Sequence, residues 1–551
     1  MGFSALVDAD QLADGHVESS QVCVIGAGPA GLVVAAELAD RGVAVCVVES
    51  GSRVPPSVDP LLEGKVVGMP YHLASSRARG LGGSAHMWHL ETRTGDLGAR
   101  FRPLDPEDFE VREWVPHSGW PFGWSEIEGY YQAVHELFAS GPWRFDRHRR
   151  DSSATKGELP SFDPVVFQIV PAAPFVNGLV ATLAASPTCR VLYNASAMEL
   201  ELNEVGSAIK SVQLMTSVGR RVSVEAKLFV IAAGGIETPR LLLLSNSRTG
   251  SGLGNAYGLV GRYFMEHPHL TSGVVMAKND ADHHLEPLQF RDQDGARFEI
   301  RYALDPGVAR SHGIGHLSVG FKRSERDVRR TLRYHTPVAA RWSGAYVLHG
   351  LKGRYMPPQL GRHLRTILKG LPSLLDGGDE ERAAKAPLDR LLDLAIMSEQ
   401  VPNPASRVTL GRQRDKFGRP LPRLDWRLSR QDVETLQAAQ RILLNELEPL
   451  GFSVLHDSVS HLDPRLPSGR HYGGGYHHMG TARMHHSPRH GVVDPQSRVH
   501  GITNLFIAGS AVFPTSGYAN PTMTILALAL RLVDHLENQL RPSSTVPHLD
   551  T

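Results

Sequence analysis

The most regular pattern of apolar and polar positions lies at residues 21–50, which read QVCVIGAGPAGLVVAAELADRGVAVCVVES. A short apolar run precedes a glycine-rich turn, and an Ala/Val/Leu-rich stretch of helical composition follows it. A second apolar run then ends in an acidic residue. The order strand, turn, helix and strand predicts a βαβ unit of a parallel sheet.

The turn of this unit has the spacing of a dinucleotide-binding loop. Gly26 permits the tight turn, Gly28 lets a pyrophosphate approach the backbone, and Gly31 allows the helix to pack on the strand. Pro29 and Ala30 lie at the helix N-terminus, where phosphate binds favourably. These residues are therefore predicted to bind the cofactor. A glycine-rich turn without a ligand is the alternative.

Glu49 ends the second strand, 23 residues after Gly26. A carboxylate here accepts hydrogen bonds from both ribose hydroxyls and repels a 2′-phosphate, which disfavours NADP. NAD and FAD share this fingerprint, so the choice between them depends on later segments.

Residues 227–245 look like a second strand of the nucleotide domain. The apolar run predicts a buried strand that ends at Gly234 and Gly235, followed by a helix that begins near Pro239.

Residues 79–89, RGLGGSAHMWH, form a further glycine loop. Its backbone amides are suited to pass the pyrophosphate and the isoalloxazine edge of FAD, with a plain turn as the alternative. The loop residues predicted to bind the cofactor are Arg79, Gly82, Gly83 and Ser84.

Composition narrows the class of protein. The 551 residues include 58 Lys and Arg against 57 Asp and Glu, so no basic field favours nucleic acid, and a small-molecule substrate is expected. Three cysteines disfavour a disulfide framework. The absence of a signal peptide and of an apolar window of about 18 residues predicts no transmembrane segment and a soluble, cytoplasmic protein.

Motifs along nearly the whole chain resemble one family. They are GAGPAG (26–31), GLGGS (80–84), AAGGIETPRLL (232–242), VGRYFMEHP (260–268), PNPASRVTL (402–410) and the C-terminal pair at 476–484 and 505–536. Together they resemble the glucose-methanol-choline (GMC) oxidoreductases. Residues 102–124 and 517–522 look most like the bacterial glycoside 3-oxidase and pyranose oxidase branch.

The resemblance implies an α/β fold, with a Rossmann-type FAD-binding domain intertwined with an α+β substrate-binding domain built on an antiparallel sheet. We expect the discontinuous FAD-binding domain at 18–100, 176–261 and 461–540. The substrate-binding or cap domain is expected at 101–175 and 262–460. Between 321 and 370 twelve Lys/Arg stand against two Asp/Glu, which predicts a basic insertion that is either a solvated arm or a docking surface.

Alignment on the family motifs places the catalytic pair on His477 and Asn520. An alcohol must lose its hydroxyl proton as hydride leaves its carbon, and neutral imidazole suits that proton near neutral pH. His477 is therefore the predicted base, and Asn520 is predicted to orient the substrate oxygen toward flavin N5. Asn520-Pro521 before an apolar run is alternatively a helix N-cap with proline at the first position, and both roles are compatible.

The same helix start would direct its positive end at the flavin and stabilise the anionic reduced form. The resemblance adds Gly509, Ser510, Pro521 and Thr522 to the predicted cofactor contacts. Some relatives attach flavin to a histidine after the paired glycines. Here Met87 occupies the aligned position, which makes covalent attachment doubtful, with His86 and His89 as remaining candidates.

Substrate contacts are predicted at Glu399, Gln400 and His478, with a structural role as the alternative for each. Trp114, Trp120 and Trp124 favour carbohydrate if their faces pack against sugar C–H groups, although core packing is the other interpretation. Neighbouring histidines such as 477 and 478 face opposite ways on an extended segment, so no metal is expected.

These observations predict FAD-dependent oxidation of a sugar or glycoside hydroxyl, from secondary alcohol to ketone, by proton abstraction and hydride transfer to flavin N5. Oxygen or another acceptor would reoxidise the flavin, and a homo-oligomer is compatible with the sequence. The alternatives are a primary or natural-product alcohol on the same fold, or a non-redox flavin-dependent lyase.

Overall fold

The computed structural model describes residues 5–55, 59–138, 141–145, 159–277, 290–322, 390–460 and 473–541. Seven α-helices lie in these ranges, and we number them in chain order. They are α1 (Pro29–Asp40), α2 (Glu128–Leu137), α3 (Ala172–Ala185), α4 (Gly234–Leu244), α5 (Pro306–His312), α6 (Arg430–Leu447) and α7 (Thr522–Leu540).

The predicted βαβ unit is present. Strand His16–Ile25 leads through the glycine turn into α1, and strand Val45–Val48 returns parallel to the first strand. The Ala/Val/Leu side chains of α1 are buried, and the helix contacts α3 and α7. A helix that is apolar on most of its surface is covered on several sides.

This unit lies at the centre of a mostly parallel sheet to which the described part of the chain contributes eight strands. Two antiparallel strands extend one edge, and Leu505–Ile507 pairs in parallel with Arg221–Ile231. Apart from Leu505–Ile507, the strands in spatial order are Leu6–Asp8, Cys189–Tyr193, Val45–Val48, His16–Ile25, Arg221–Ile231, Ile209–Thr216 and Ala195–Leu202.

Within the described ranges, the second large sheet has ten strands, and all of its pairs are antiparallel. The strand predicted near residues 297–304 is among them. The sheet runs in the order Phe452–Asp457, Pro268–Ala277, Leu391–Ser398, Leu317–Lys322, Ala296–Leu304, Phe162–Pro171, Leu97–Phe101 and Leu90–Glu91, with Phe290–Gln293 and Gly473–Gly474 as side branches.

A small third sheet joins Arg407–Arg414, Pro420–Trp426 and Lys65–Gly68. The chain enters each large sheet more than once, which confirms the predicted α/β fold with two intertwined parts. The domain boundaries stay a prediction. Residues 323–370 of the predicted basic insertion lie outside the described residues.

Helix α4 begins at Gly234, so the predicted start near Pro239 is wrong. Proline lacks the N–H that would bond to the carbonyl of Gly235 one turn earlier. The hydroxyl of Thr481 donates to that carbonyl at 2.7 Å instead, so Pro239 is accommodated inside the helix.

Candidate active site

A cavity of about 560 Å³ is lined by residues of both large sheets. The side chains of His477, His478 and Asn520 line it together with most of the predicted cofactor residues. Those residues are Gly26, Gly28, Pro29, Ala30, Glu49, Arg79, Gly83, Ser84, Gly509, Ser510, Pro521 and Thr522.

Close packing explains the glycines of the first turn. A Cβ on Gly31 would lie 1.9 Å from the carbonyl oxygen of Gly26, so α1 can approach the strand only through glycine. Gly26 has φ +111°, and a Cβ there would lie 2.6 Å from the oxygen of Ala232. Gly31 therefore supports the turn from behind and does not line the cavity.

Gly28 differs from these two glycines because nothing lies within 4 Å of the position of its Cβ. The space beside it belongs to the cavity. No side chain caps the N-terminus of α1, so its first N–H groups are available to a ligand.

Glu49 lines the cavity beside this helix start. Its carboxylate accepts the backbone N–H of Ala27 at 2.9 Å and that of Gly51 at 2.7 Å. Burial raises the pKa of Glu49, while these two hydrogen bonds act in the opposite direction. The carboxylate is thereby held at the position that the sequence predicts for ribose recognition.

The second glycine loop lies against the same cavity. Arg79 pairs with Asp59 at 2.5 Å, and Gly83 packs so closely that its Cβ would lie 2.9 Å from the Cα of Gly28. Gly82 does not line the cavity. Its φ of +98° shapes the loop, and a Cβ there would meet the ring of His86 at 2.7 Å.

The two candidates for flavin attachment are placed differently. His86 is exposed, does not line the cavity, and bonds through Nε2 to the carbonyl of Leu81 at 2.7 Å. His89 and Met87 line the cavity. Covalent attachment stays a prediction for either histidine.

At the C-terminal end of the cavity, α7 begins at Thr522, and Pro521 occupies the N-cap position without a side-chain cap. The N-cap alternative for Asn520 is therefore not what the structure shows. Its Nδ2 lies 3.1 Å from Nε2 of His477, and its Oδ1 is buried without a partner among the described residues.

His477 is held from three directions. Its backbone N–H donates to Glu266 at 2.8 Å, its Nδ1 lies 2.9 Å from Nδ1 of His267, and its Nε2 faces Asn520. Burial, with the neighbouring imidazoles of His267 and His269, holds the pKa of His477 well below its ordinary value. The ring is therefore uncharged at neutral pH.

Three residues of this arrangement were not singled out from the sequence. Glu266, His267 and His269 belong to the stretch MEHPH, at the start of strand Pro268–Ala277. The family motif VGRYFMEHP (260–268) contains Glu266 and His267, whereas His269 lies one residue beyond it. His269 lines the cavity, its ring centroid lies 5.7 Å from that of His477, and its Nε2 has no partner among the described residues.

The wall near His269 carries positive charge. Arg100 lines the cavity and pairs with the buried carboxylate of Glu299, which also accepts from the guanidinium of Arg301 at 3.2 Å. Two guanidinium groups thus face one carboxylate. Burial, followed by the repulsion of Arg100, lowers the pKa of Arg301 to about 10, so the guanidinium of Arg301 remains charged at neutral pH.

Glu399 and Gln400 do not line the cavity. Glu399 makes a bidentate ion pair with Arg112, and the Oε1 of Gln400 accepts from the backbone of Glu266 at 2.9 Å and from Trp426 at 3.0 Å. The structure favours the structural alternative for both residues. His478 lines the cavity and packs against Tyr71, and its predicted substrate contact stays a prediction.

Trp114, Trp120 and Trp124 do not line the cavity, so they provide no sugar platform there. Trp120 is buried among Phe109, Phe122 and Phe513, the indole of Trp114 donates to the carbonyl of Ile314, and Trp124 stacks on Tyr131. The aromatic residues that do line it are Trp88, Phe417 and Tyr476.

Two family models match parts of the chain. A model described as GMC oxidoreductase matches residues 402–529, and one described as an FAD binding domain matches residues 19–57. The chain therefore carries a C-terminal GMC oxidoreductase domain and an N-terminal FAD-binding domain. It is an FAD-dependent oxidoreductase that acts on CH–OH groups.

Named relatives cover most of the chain. The fructose dehydrogenase large subunit of Gluconobacter japonicus is 25% identical over 460 residues, which are 83% of this chain and 73% of that one. The 6'''-hydroxyparomomycin C oxidase of Streptomyces lividus is 26% identical, and the match covers 93% of this chain and 90% of that enzyme. The solved structure of a fungal aryl-alcohol oxidase, which is 15% identical, has the same fold. The TM-score is 0.52, and the match covers 96% of this chain and 100% of the chain of that oxidase.

The residues present fit FAD. Two helix N-termini without side-chain caps, those of α1 and α7, border one cavity, and the carboxylate of Glu49 lies beside the first. Such N-termini attract negative charge, which FAD carries on its pyrophosphate and, when reduced, on its ring. Gly28 leaves room for a close approach to the backbone.

Among the described residues, no group of three or more His, Cys, Asp or Glu side chains is placed to hold a metal ion. None of the described helices combines the length and apolar character needed to cross a membrane.

Proposed function

We propose that this FAD-dependent oxidoreductase oxidises a secondary hydroxyl group of a sugar or glycoside to a ketone, with His477 as the base and Asn520 as the orienting residue. One observation carries the proposal: Nε2 of His477 and the amide of Asn520 lie 3.1 Å apart on the cavity wall, next to the start of α7.

The substrate O–H bond breaks as its proton passes to Nε2 of His477, while the carbinol carbon loses its hydrogen with the bonding electron pair. A carbon–oxygen double bond forms. FAD, when bound, supplies the acceptor for that hydrogen and electron pair. Asn520 holds the reacting oxygen, and such positioning lowers the barrier because the reactants are already aligned.

The burial of His477 favours this role. Its lowered pKa leaves the ring unprotonated across the neutral range, so a lone pair is ready for the hydroxyl proton. Arg100 lines the same cavity, and its positive charge also acts to lower the pKa of His477.

The polar atoms around the base favour a substrate with several hydroxyl groups. Oδ1 of Asn520 and Nε2 of His269 are buried and lack partners among the described residues. Buried polar atoms in proteins are nearly always hydrogen-bonded. A simple alcohol has one hydroxyl to offer, whereas a sugar brings neighbouring hydroxyls to both atoms. The two relatives are named for fructose and for hydroxyparomomycin, which supports the same class.

The proposal is tested by anaerobic titration of the purified flavoprotein with monosaccharides, glycosides, their deoxy analogues and simple primary alcohols. Bleaching of the visible flavin band by a sugar or glycoside, with a keto-sugar as product, supports it. Bleaching by primary alcohols alone contradicts the substrate class. Admission of air after bleaching then shows whether oxygen or another acceptor reoxidises the flavin.

A further inference from the structure

His267 lies directly behind the proposed base. Its Nδ1 is 2.9 Å from Nδ1 of His477, and the two rings meet edge to face at 79° with centroids 4.9 Å apart. The other ring nitrogen, Nε2, lies 3.4 Å from the backbone carbonyl oxygen of Ser516. Both nitrogens of His267 therefore face a protein partner.

These partners determine which nitrogen of His267 carries the proton. A carbonyl oxygen can only accept, so Nε2 must be the N–H that faces Ser516. Burial lowers the pKa of His267 to about 4, so the ring is neutral at physiological pH and has a single N–H. Nδ1 of His267 is then an acceptor.

The tautomer of His477 follows from that of His267. An acceptor at Nδ1 of His267 requires a donor at Nδ1 of His477, and a neutral imidazole has one proton to place. Nε2 of His477 is consequently left with a lone pair. The amide N–H of Asn520, 3.1 Å away, is the donor that such a lone pair favours while no substrate is bound, so the assignments agree along the chain of contacts. A substrate hydroxyl that reaches Nε2 takes the place of this N–H.

We propose that His267 is a positioning residue that keeps His477 in the Nδ1–H tautomer, so that its Nε2 faces the substrate hydroxyl as a base. The inference rests on the proposed role of His477. When Nε2 takes the substrate proton, the Nδ1–H of the resulting imidazolium still donates to His267. This hydrogen bond is therefore kept during the proton transfer. His267 orients the ring of His477, as a carboxylate or a backbone carbonyl does for other catalytic histidines.

Two variants separate this role from packing. His267→Phe keeps a ring of similar size without an acceptor. His267→Asn keeps an acceptor oxygen near the place of Nδ1 while it loses the contact with Ser516. His72→Ala is the matched control, because His72 is exposed and does not line the cavity.

The first measurement is ¹⁵N NMR of histidine-labelled holoenzyme, with the His477 signals assigned by their loss in His477→Ala. We expect the Nδ1–H tautomer in the wild type and a mixture in His267→Phe. An Nε2–H tautomer in the wild type would overturn the inference, and this outcome does not depend on whether either His267 variant folds.

The second measurement is anaerobic reduction with the best substrate of the panel. His267→Phe is expected to lower the limiting rate about 10- to 100-fold, with little change in apparent Kd, and His267→Asn to recover most of it. Equal losses in both variants, or no loss in His267→Phe, would overturn the inference. If His477→Ala reduces as fast as wild type, the proposed base is wrong. If only His477→Ala is slow, the base stands and the role of His267 alone fails.

Discussion

The carboxylate of Glu266 accepts the backbone N–H of His477 at 2.8 Å, and the same oxygen accepts the backbone N–H of His267 at 2.8 Å. Its other oxygen accepts from the hydroxyl of Tyr71. One buried side chain thus fixes the backbone of both histidines. It joins two histidines that are 210 positions apart in sequence.

Glu266→Gln should change how protein stability depends on pH. Burial raises the pKa of Glu266 from 4.5 to about 7, so the folded protein holds this proton more tightly than the unfolded chain. The free energy of unfolding contributed by Glu266 therefore falls as pH rises from about 4.5 to about 7, by about 3 kcal/mol in total. Thermal unfolding of both proteins between these pH values, with excess FAD, should show the advantage of wild type over the variant shrinking. A difference that grows with pH would contradict the raised pKa.

Gly31→Ala should lose stability, whereas Gly28→Ala should lose affinity for FAD. In Gly31→Ala the new Cβ would lie 1.9 Å from the oxygen of Gly26, so the apoprotein should lose about 1–3 kcal/mol or more. In Gly28→Ala the Cβ meets no protein atom within 4 Å, so the apoprotein should keep its stability while FAD binding weakens. Apoprotein melting temperature and flavin content distinguish the two. Normal FAD affinity in Gly28→Ala would contradict a pyrophosphate at this turn.

Glu399→Gln should reduce stability more than substrate binding. Removal of one partner leaves the buried guanidinium of Arg112 without its ion pair, at a cost of about 3–5 kcal/mol. Denaturant unfolding measures this loss, with the exposed Glu63→Gln as the control. A variant of normal stability whose apparent Kd for substrate rises would instead support the substrate contact predicted from the sequence.

His269→Phe should reduce discrimination between hydroxyl and hydrogen on the substrate. Suppose that Nε2 of His269 binds a hydroxyl next to the reacting one. The deoxy analogue that lacks this hydroxyl should then have a kcat/KM about tenfold below that of the parent sugar with the wild-type enzyme, and a much smaller loss with the variant. The ratio of sugar to deoxy analogue, measured for each position, isolates that contact. Ratios that do not change at any position would exclude it.

Local patterns predicted the nucleotide half of the fold well. The strand, turn and helix at residues 21–50 are determined by neighbours in sequence, and the structure has them where the pattern placed them. The start of α4 was misplaced because the carbonyl that Pro239 leaves free is satisfied by Thr481, far along the chain. No local pattern reports that partner.

The surroundings of the proposed base could be predicted only in part. The family motifs located His477 and Asn520, and the structure places them side by side. His267 and His269 reach this place because strand Pro268–Ala277 pairs with Gly473–Gly474, just before His477. Trp120 was a plausible sugar contact in sequence, but its neighbours in space are core phenylalanines.

The most direct test of the account is anaerobic reduction of the wild-type enzyme and His477→Ala by a sugar or glycoside that bleaches the flavin, with His72→Ala as the control. If His477 is the base, the limiting rate of His477→Ala falls by about 10²- to 10⁴-fold while its flavin content and that of the control stay normal. Reduction of His477→Ala at the wild-type rate would contradict the assignment of His477 as the base.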